Sequence, residues 1–165
     1  LFILVRLKRY LTSKSEFSTL NENNLPTISF VIPCFNERLI IPQKLKNSLS
    51  LLYPVDKIDI VFVTDGSSDG SHEYLNDIQD IQCLHSDQRR GKMHAMNRVM
   101  DQLTGDIVIF SDANAMLNES ALLILASEFI KDNVGCIAGE KRVISSGTNG
   151  AASNEGIYWK YESTQ

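Results

Sequence analysis

Four short stretches hold most of the residues able to do chemistry. They are Pro33-Cys34-Phe35-Asn36-Glu37, Thr64-Asp65-Gly66-Ser67-Ser68-Asp69-Gly70-Ser71, Arg89-Arg90-Gly91-Lys92 and Ser111-Asp112-Ala113-Asn114. Asp65 and Asp112 are acceptors suited to a base N–H, to ribose hydroxyls or to a divalent cation. Arg89, Arg90 and Lys92 can neutralise phosphate, and Gly91 lets backbone approach a ligand closely. Asp112 and Asn114, two apart on a turn, offer the hard oxygens that Mg²⁺ or Mn²⁺ prefers. Sugar hydroxyls, phosphate and a hard metal together describe a nucleotide diphosphate compound.

Each stretch follows a short apolar run. ISFVI (28–32), IDIVFV (58–63), IQCLH (81–85), DIVIF (106–110) and VGCIA (134–138) read as strands, and most lack polar alternation, as strands buried on both faces do. Helical patterns separate them: Ile41, Leu45, Leu49 and Leu52 in the first, Met93, Met96, Met100 and Leu103 in another, and Leu122, Leu125, Ala126 and Phe129 after Asn118 or Ser120 as N-cap. Pro42 sits early in its helix, where a missing N–H costs little. The methionine stripe reads as core, and Arg38 and Lys44 as a solvated face. Strand–helix repeats of this kind give an α/β fold with a mostly parallel twisted sheet flanked by helices. Ligands bind such sheets beyond the carboxyl ends of the strands, so the residues after Ile32, Val63, His85 and Phe110 converge on one edge.

PCFNE, VTDGSSDGS, RRGK…AMN and SDAN, in this order and spacing, resemble the family-2 glycosyltransferases over about residues 27–162. The resemblance implies a three-layer, Rossmann-like GT-A domain over 27–165, and sugar transfer from a UDP-sugar with inversion, assisted by Mn²⁺ or Mg²⁺. It implies that Pro33, Phe35, Asn36 and Glu37 line the nucleotide pocket and that Asp65 hydrogen-bonds the base, usually uracil. Gly91 and Lys92 would lie near the diphosphate. Asp112, Ala113 and Asn114 stand where the family has its Asp-x-Asp motif, so that Asp112 holds ribose and sugar and, with Asn114, the metal. Asn114 is a weaker ligand than the usual carboxylate. Tyr158-Trp159-Lys160-Tyr161-Glu162 resembles the acceptor-side helix. Family members continue beyond it to an aspartate base and a Gln-x-x-Arg-Trp motif, so the domain reads as incomplete at its C-terminus and its catalytic base as unassigned. The late acids Glu140, Glu155 and Glu162 sit in no such motif.

Rival readings are weaker. A dinucleotide dehydrogenase needs glycines after the first strand, where this chain has Pro33-Cys34-Phe35. DGSSDG mimics the start of a calcium loop, but the twelfth position is Asn76 instead of glutamate and a strand precedes it. Asp69 and Ser71 read as turn and helix-cap residues, and His72, His85 and His94 are scattered. The strongest rival is a non-catalytic module that holds a nucleotide sugar without transferring it.

The chain has 165 residues, one domain's worth, and a net charge of −4, which argues against gripping nucleic acid. Cys34, Cys83 and Cys136 have no disulfide or zinc spacing and read as small buried hydrophobes. Residues 1–26 read as a flank and linker. Arg6 lies within the apolar LFILVRL and Lys8, Arg9 and Lys14 follow it; the run is too short to span a bilayer. Its charges match the cytoplasmic side of a membrane helix, one alternative to a plain amphipathic or disordered end. The resemblance thus implies a membrane-anchored parent at the cytoplasmic face of the cell membrane, with a carbohydrate or lipid-linked acceptor in cell-surface polysaccharide or glycolipid synthesis.

Overall fold

The structure, a computed structural model, describes residues 24–131 and 134–139. Strands β1 (Ile28–Cys34), β2 (Ile58–Asp65), β3 (Gln82–Ser86) and β4 (Ile107–Phe110) form one all-parallel sheet in the order β3-β2-β1-β4. Helices α1 (Ile41–Leu49), α2 (Ser71–Asn76) and α3 (Lys92–Val99) connect them, and α4 (Ala121–Phe129) follows β4.

Alternation along the central strands sorts the core into two layers. Ile28, Phe30, Ile32 and Cys34 of β1 pack with Ile41 and Leu45 of α1, Leu75 of α2, and Leu122 and Ala126 of α4. Val31, Val61 and Val63 pack on the opposite face with Ala95 and Val99 of α3. Both faces of the sheet are therefore covered, which is the three-layer α/β arrangement expected. The chain steps outward from β1 through β2 to β3, then crosses to the other flank of β1 for β4. The ends of β1 and β4 lie side by side on the carboxyl edge, where open α/β sheets bind ligands.

Several expectations need correction. Residues 134–139 carry no regular secondary structure, so the fifth strand is not formed among the described residues. A β-branched run becomes a strand only where a neighbour completes its ladder, and the described sheet ends at β4. Leu25, expected in the linker, is buried in the core, and the Pro26 carbonyl accepts the Tyr53 hydroxyl at 2.6 Å. Leu49 and Leu52 are half exposed: the buried face of α1 is Ile41, Lys44, Leu45 and Ser48, so Leu49 lies off it, and Leu52 follows the helix end. Of the methionine stripe only Met96 is buried: Met93 is 64% and Met100 42% exposed, and Met100 already begins a 3₁₀ turn that breaks the helical phase. The three cysteines are free. Cys34 is buried, and that burial pushes its thiol up to about 12, while Cys83 and Cys136 are half-buried. The N-terminal flank up to residue 23, Glu140, Glu155 and the Tyr158–Glu162 run lie outside the described residues.

Candidate functional site

The four strand ends are stitched to one another by their own loops. After β1, Asn36 adopts a left-handed backbone (φ 53°), and its side-chain oxygen accepts the Ser68 N–H at 2.9 Å while its own N–H donates to Ser67 Oγ at 3.2 Å. Asp69 accepts the Arg38 N–H at 2.8 Å with one oxygen, and the N–H and hydroxyl of Ser71 with the other. Desolvation pulls the Asp69 carboxyl upward, but the hydrogen bonds from Ser71 and Arg38 outweigh it and hold it below its ordinary range. Asp69 and Ser71 are thus structural, as expected. Asn36, expected to bind substrate, is committed to this loop-to-loop contact.

Asp65 closes β2 and is 4% exposed. Its Oδ2 accepts the backbone N–H groups of Arg90 at 3.0 Å and Gly91 at 2.7 Å. Its Oδ1 is buried and has no hydrogen-bond partner in the protein. A buried acceptor left unpaired costs about 1–3 kcal/mol, so a donor brought to this oxygen would be favoured. The loop that Asp65 holds carries the basic cluster. The Arg89 guanidinium stacks 3.7 Å above the Phe35 ring, and Gly91 (φ 93°) turns the chain into the N-terminus of α3. That helix end adds partial positive charge to Lys92 and its neighbours.

Between the ends of β1 and β4 lies a pocket of about 230 Å³ lined by Pro33, Lys92, Met93, Met96, Phe110, Ser111 and Asp112. Met93 and Met96, expected as core, therefore wall the site. Asp112 is partly buried and ion-paired with Lys92. Ala113 is 2% exposed and Asn114 is exposed, and the Asp112 carbonyl accepts the Ala115 N–H at 3.1 Å to close the turn. Among the described residues no group of three or more His, Cys, Asp or Glu side chains can hold a metal. One carboxylate and one amide fit a divalent cation only as a partial shell that needs a ligand's oxygens to complete it.

This constellation has counterparts. The family model described as glycosyl transferase family 2 matches residues 29–165. The chain belongs to glycosyl transferase family 2. A poly-beta-1,6-N-acetyl-D-glucosamine synthase of Staphylococcus aureus (strain COL) is 30% identical over 146 residues, which is 86% of this chain and 34% of that protein. The chain spans about a third of the length of the curated relatives it matches. Among solved structures, the mannosyltransferase PcManGT from Pyrobaculum calidifontis, in complex with GDP-Man and Mn²⁺, superposes with a TM-score of 0.55 at 31% identity, covering 64% of this chain and 32% of that one. S. aureus TarS 1-349 in complex with UDP-GlcNAc shares the fold at a TM-score of 0.56 and 21% identity, covering 63% and 31%.

Two residues that matter to this family-2 site were not legible as such. Lys44, expected on a solvated face, is fully buried and donates to Ser111 Oγ at 2.7 Å and to the Ala115 carbonyl. Its place one helical turn along from Ile41 and beside Leu45 is the only signal that it faces inward. Arg98 on α3 donates to the carbonyls of Thr64 and Leu84, each at 3.0 Å, and ties the ends of β2 and β3 together. Two of the histidines brace the sheet edge: His85 stacks on His72 with centroids 3.8 Å apart and bonds Thr64 Oγ1 at 2.7 Å.

Proposed function

We propose that this chain binds a UDP-sugar and contributes the leaving-group side of an inverting glycosyl transfer, in a protein that builds cell-surface polysaccharide or glycolipid at the cytoplasmic face of a membrane. The observation that carries the reading is the buried, unpartnered Oδ1 of Asp65. It sits at the strand end beside a loop of exposed cations, and a shift of that loop on ligand entry would let it accept the imide N–H of uracil. Phe35, with Arg89 stacked on it, Pro33 and Glu37 belong to the same nucleotide side. Lys92 and the N-terminus of α3 draw the diphosphate, and Asp112 with Ala113 takes the ribose and sugar. Asp112 and Asn114 would hold Mn²⁺ or Mg²⁺, which neutralises charge on the departing diphosphate. The acceptor, a carbohydrate or a lipid-linked sugar, is deprotonated by a base outside this set. The UDP preference draws on the relatives that make poly-N-acetylglucosamine or bind UDP-GlcNAc, and the GDP-Man complex makes the nucleotide a matter for direct measurement.

Calorimetry with UDP, GDP and ADP is the test, with UDP expected tightest. Asp65→Asn leaves an oxygen for the Arg90 and Gly91 N–H groups and turns an NH₂ donor toward the ligand. It should weaken UDP by about 1–3 kcal/mol with little change in melting temperature. Tighter binding of GDP or ADP than of UDP overturns the assignment.

A further inference from the structure

Helix α1 reaches beneath the fourth strand end through one side chain. Lys44 is 0% exposed, yet its hydrogen-bond partners are the Ser111 hydroxyl, at 2.7 Å, and the Ala115 carbonyl, with the Phe30 ring 5.2 Å away. No carboxylate is among them. Burying an ammonium without a contacting counter-ion is costly, and burial accordingly pushes its pKa down to about 8, against the pull of Cys34 and Asp112. A helix position that needed only to fill space would hold Leu or Met at lower cost. The ammonium secures a short segment by both ends, since Ser111 and Ala115 bracket Asp112, Ala113 and Asn114. One turn along the same helix, the Asn47 amide grips Leu117, donating to its carbonyl at 2.8 Å and accepting its N–H at 2.9 Å. Helix α1 therefore clamps the loop whose turn offers the hard oxygens.

We propose that Lys44 is a positioning residue for the donor-binding turn, holding Ser111 and Ala115 so that Asp112 and Asn114 present their oxygens together; this rests on the reading of the site as one for UDP and a divalent metal. The property that such a role controls is the coupling between the two ligands, meaning the factor by which Mn²⁺ tightens UDP. Calorimetric titration of UDP with and without Mn²⁺ reads it directly.

Lys44→Met keeps the length of the side chain and removes its charge and donors. The coupling factor should fall about tenfold or more toward one, while UDP alone binds within about threefold of wild type because the Asp65 contacts stay intact. Ser111→Ala removes one of the two acceptors and should lower the coupling by about two- to fivefold, which answers the question even where Lys44→Met does not fold. Ile41→Val, buried on the same helix, should lower the melting temperature and leave the coupling as it was, a distinction that a merely structural role for Lys44 would not produce. Folded Lys44→Met or Ser111→Ala protein with wild-type coupling sinks the inference alone. A wild-type protein that binds UDP without any effect of Mn²⁺ sinks the metal reading and this inference with it.

Discussion

Lys92 pairs with Asp112, the same carboxylate that offers a divalent cation its charge. A cation arriving alone must displace that ammonium, whereas a diphosphate draws it away. Lys92→Met should therefore change metal binding in opposite directions. Without nucleotide, Mn²⁺ should bind about two- to fivefold tighter, the scale of a partly exposed ion pair. With UDP present the complex should weaken by about 1–3 kcal/mol through loss of a charged hydrogen bond. Mn²⁺ relaxation measured in both states reads the two signs, and equal weakening in both would disprove the competition. Lys44 makes a separate prediction about pH. Its pKa is lowered from 10.5 to about 8 in the fold, so the unfolded chain binds more protons between those values, and its contribution to stability rises with pH across that window. Cys34 is raised from 9.0 to about 12, so the folded chain holds its proton longer and stability falls over that range. Subtracting the Lys44→Met stability from that of wild type isolates the lysine. The difference should climb between pH 8 and 10.5 by on the order of 1–3 kcal/mol in denaturant titrations. A flat difference would mean that the ammonium is not desolvated as described.

The connections after the strands act as one body because their backbones touch. Gly66, with φ at +68°, lies against the loop that follows β3: a Cβ there would sit 2.6 Å from the Arg89 nitrogen and 2.9 Å from its Cα. Those neighbours are backbone and lead straight into the Arg90 and Gly91 N–H groups held by Asp65. Gly70 also has a positive φ, +81°, but a Cβ there meets nothing within 4 Å. Gly70→Ala should cost about 1 kcal/mol of backbone strain and leave UDP binding alone. Gly66→Ala should cost about 1–3 kcal/mol more through the clash and weaken UDP as well. Melting curves and UDP titrations on the pair check this, and matching losses would show that the two loops are not packed as described. The helices were less legible than the strands. The spacing of Ile41 and Leu45 marks the buried face of α1, but Leu49 drifts off that face and Leu52 extends the pattern past the helix end. Met93 and Met100 show the same limit on α3, because an apolar side chain near a crevice has the periodicity of core without the burial.

The sheet carries its ligand groups on one edge, and the described residues supply three committed carboxylates there: Asp65 to backbone N–H groups, Asp69 to Ser71 and Arg38, and Asp112 to Lys92. That arrangement suits holding a donor better than deprotonating an acceptor. Since a general base contributes about 10²–10⁴-fold, this 165-residue chain should bind UDP yet transfer sugar at least about a hundredfold more slowly than a protein of its relatives' length. A turnover assay of both with the same UDP-sugar panel decides it. Equal rates would place the base within residues 1–165. Binding without turnover in the longer protein as well would favour the non-catalytic module. Among the described residues no helix is long and apolar enough to cross a membrane, so attachment to one is tested separately, by flotation of the longer protein with lipid vesicles.

The parallel sheet, its four described strands and the loops bearing Asp65, Gly91, Lys92 and Asp112 were all readable from the amino-acid order, because hydrophobic runs and glycine-rich breaks are local signals. The strand run at 134–138 failed for the complementary reason: a ladder needs a neighbour, and neighbours are not written in a run's own composition. The division of Asp65 between an oxygen bonded to backbone and one without a protein partner depends on where the backbone of Arg90 arrives from twenty-five residues away. Lys44 depends on the same kind of long-range placement. Whether a lysine on a helix meets water or a buried hydroxyl is set by what packs over it, and Ser111 and Ala115 reach Lys44 only once β4 has been laid beside β1.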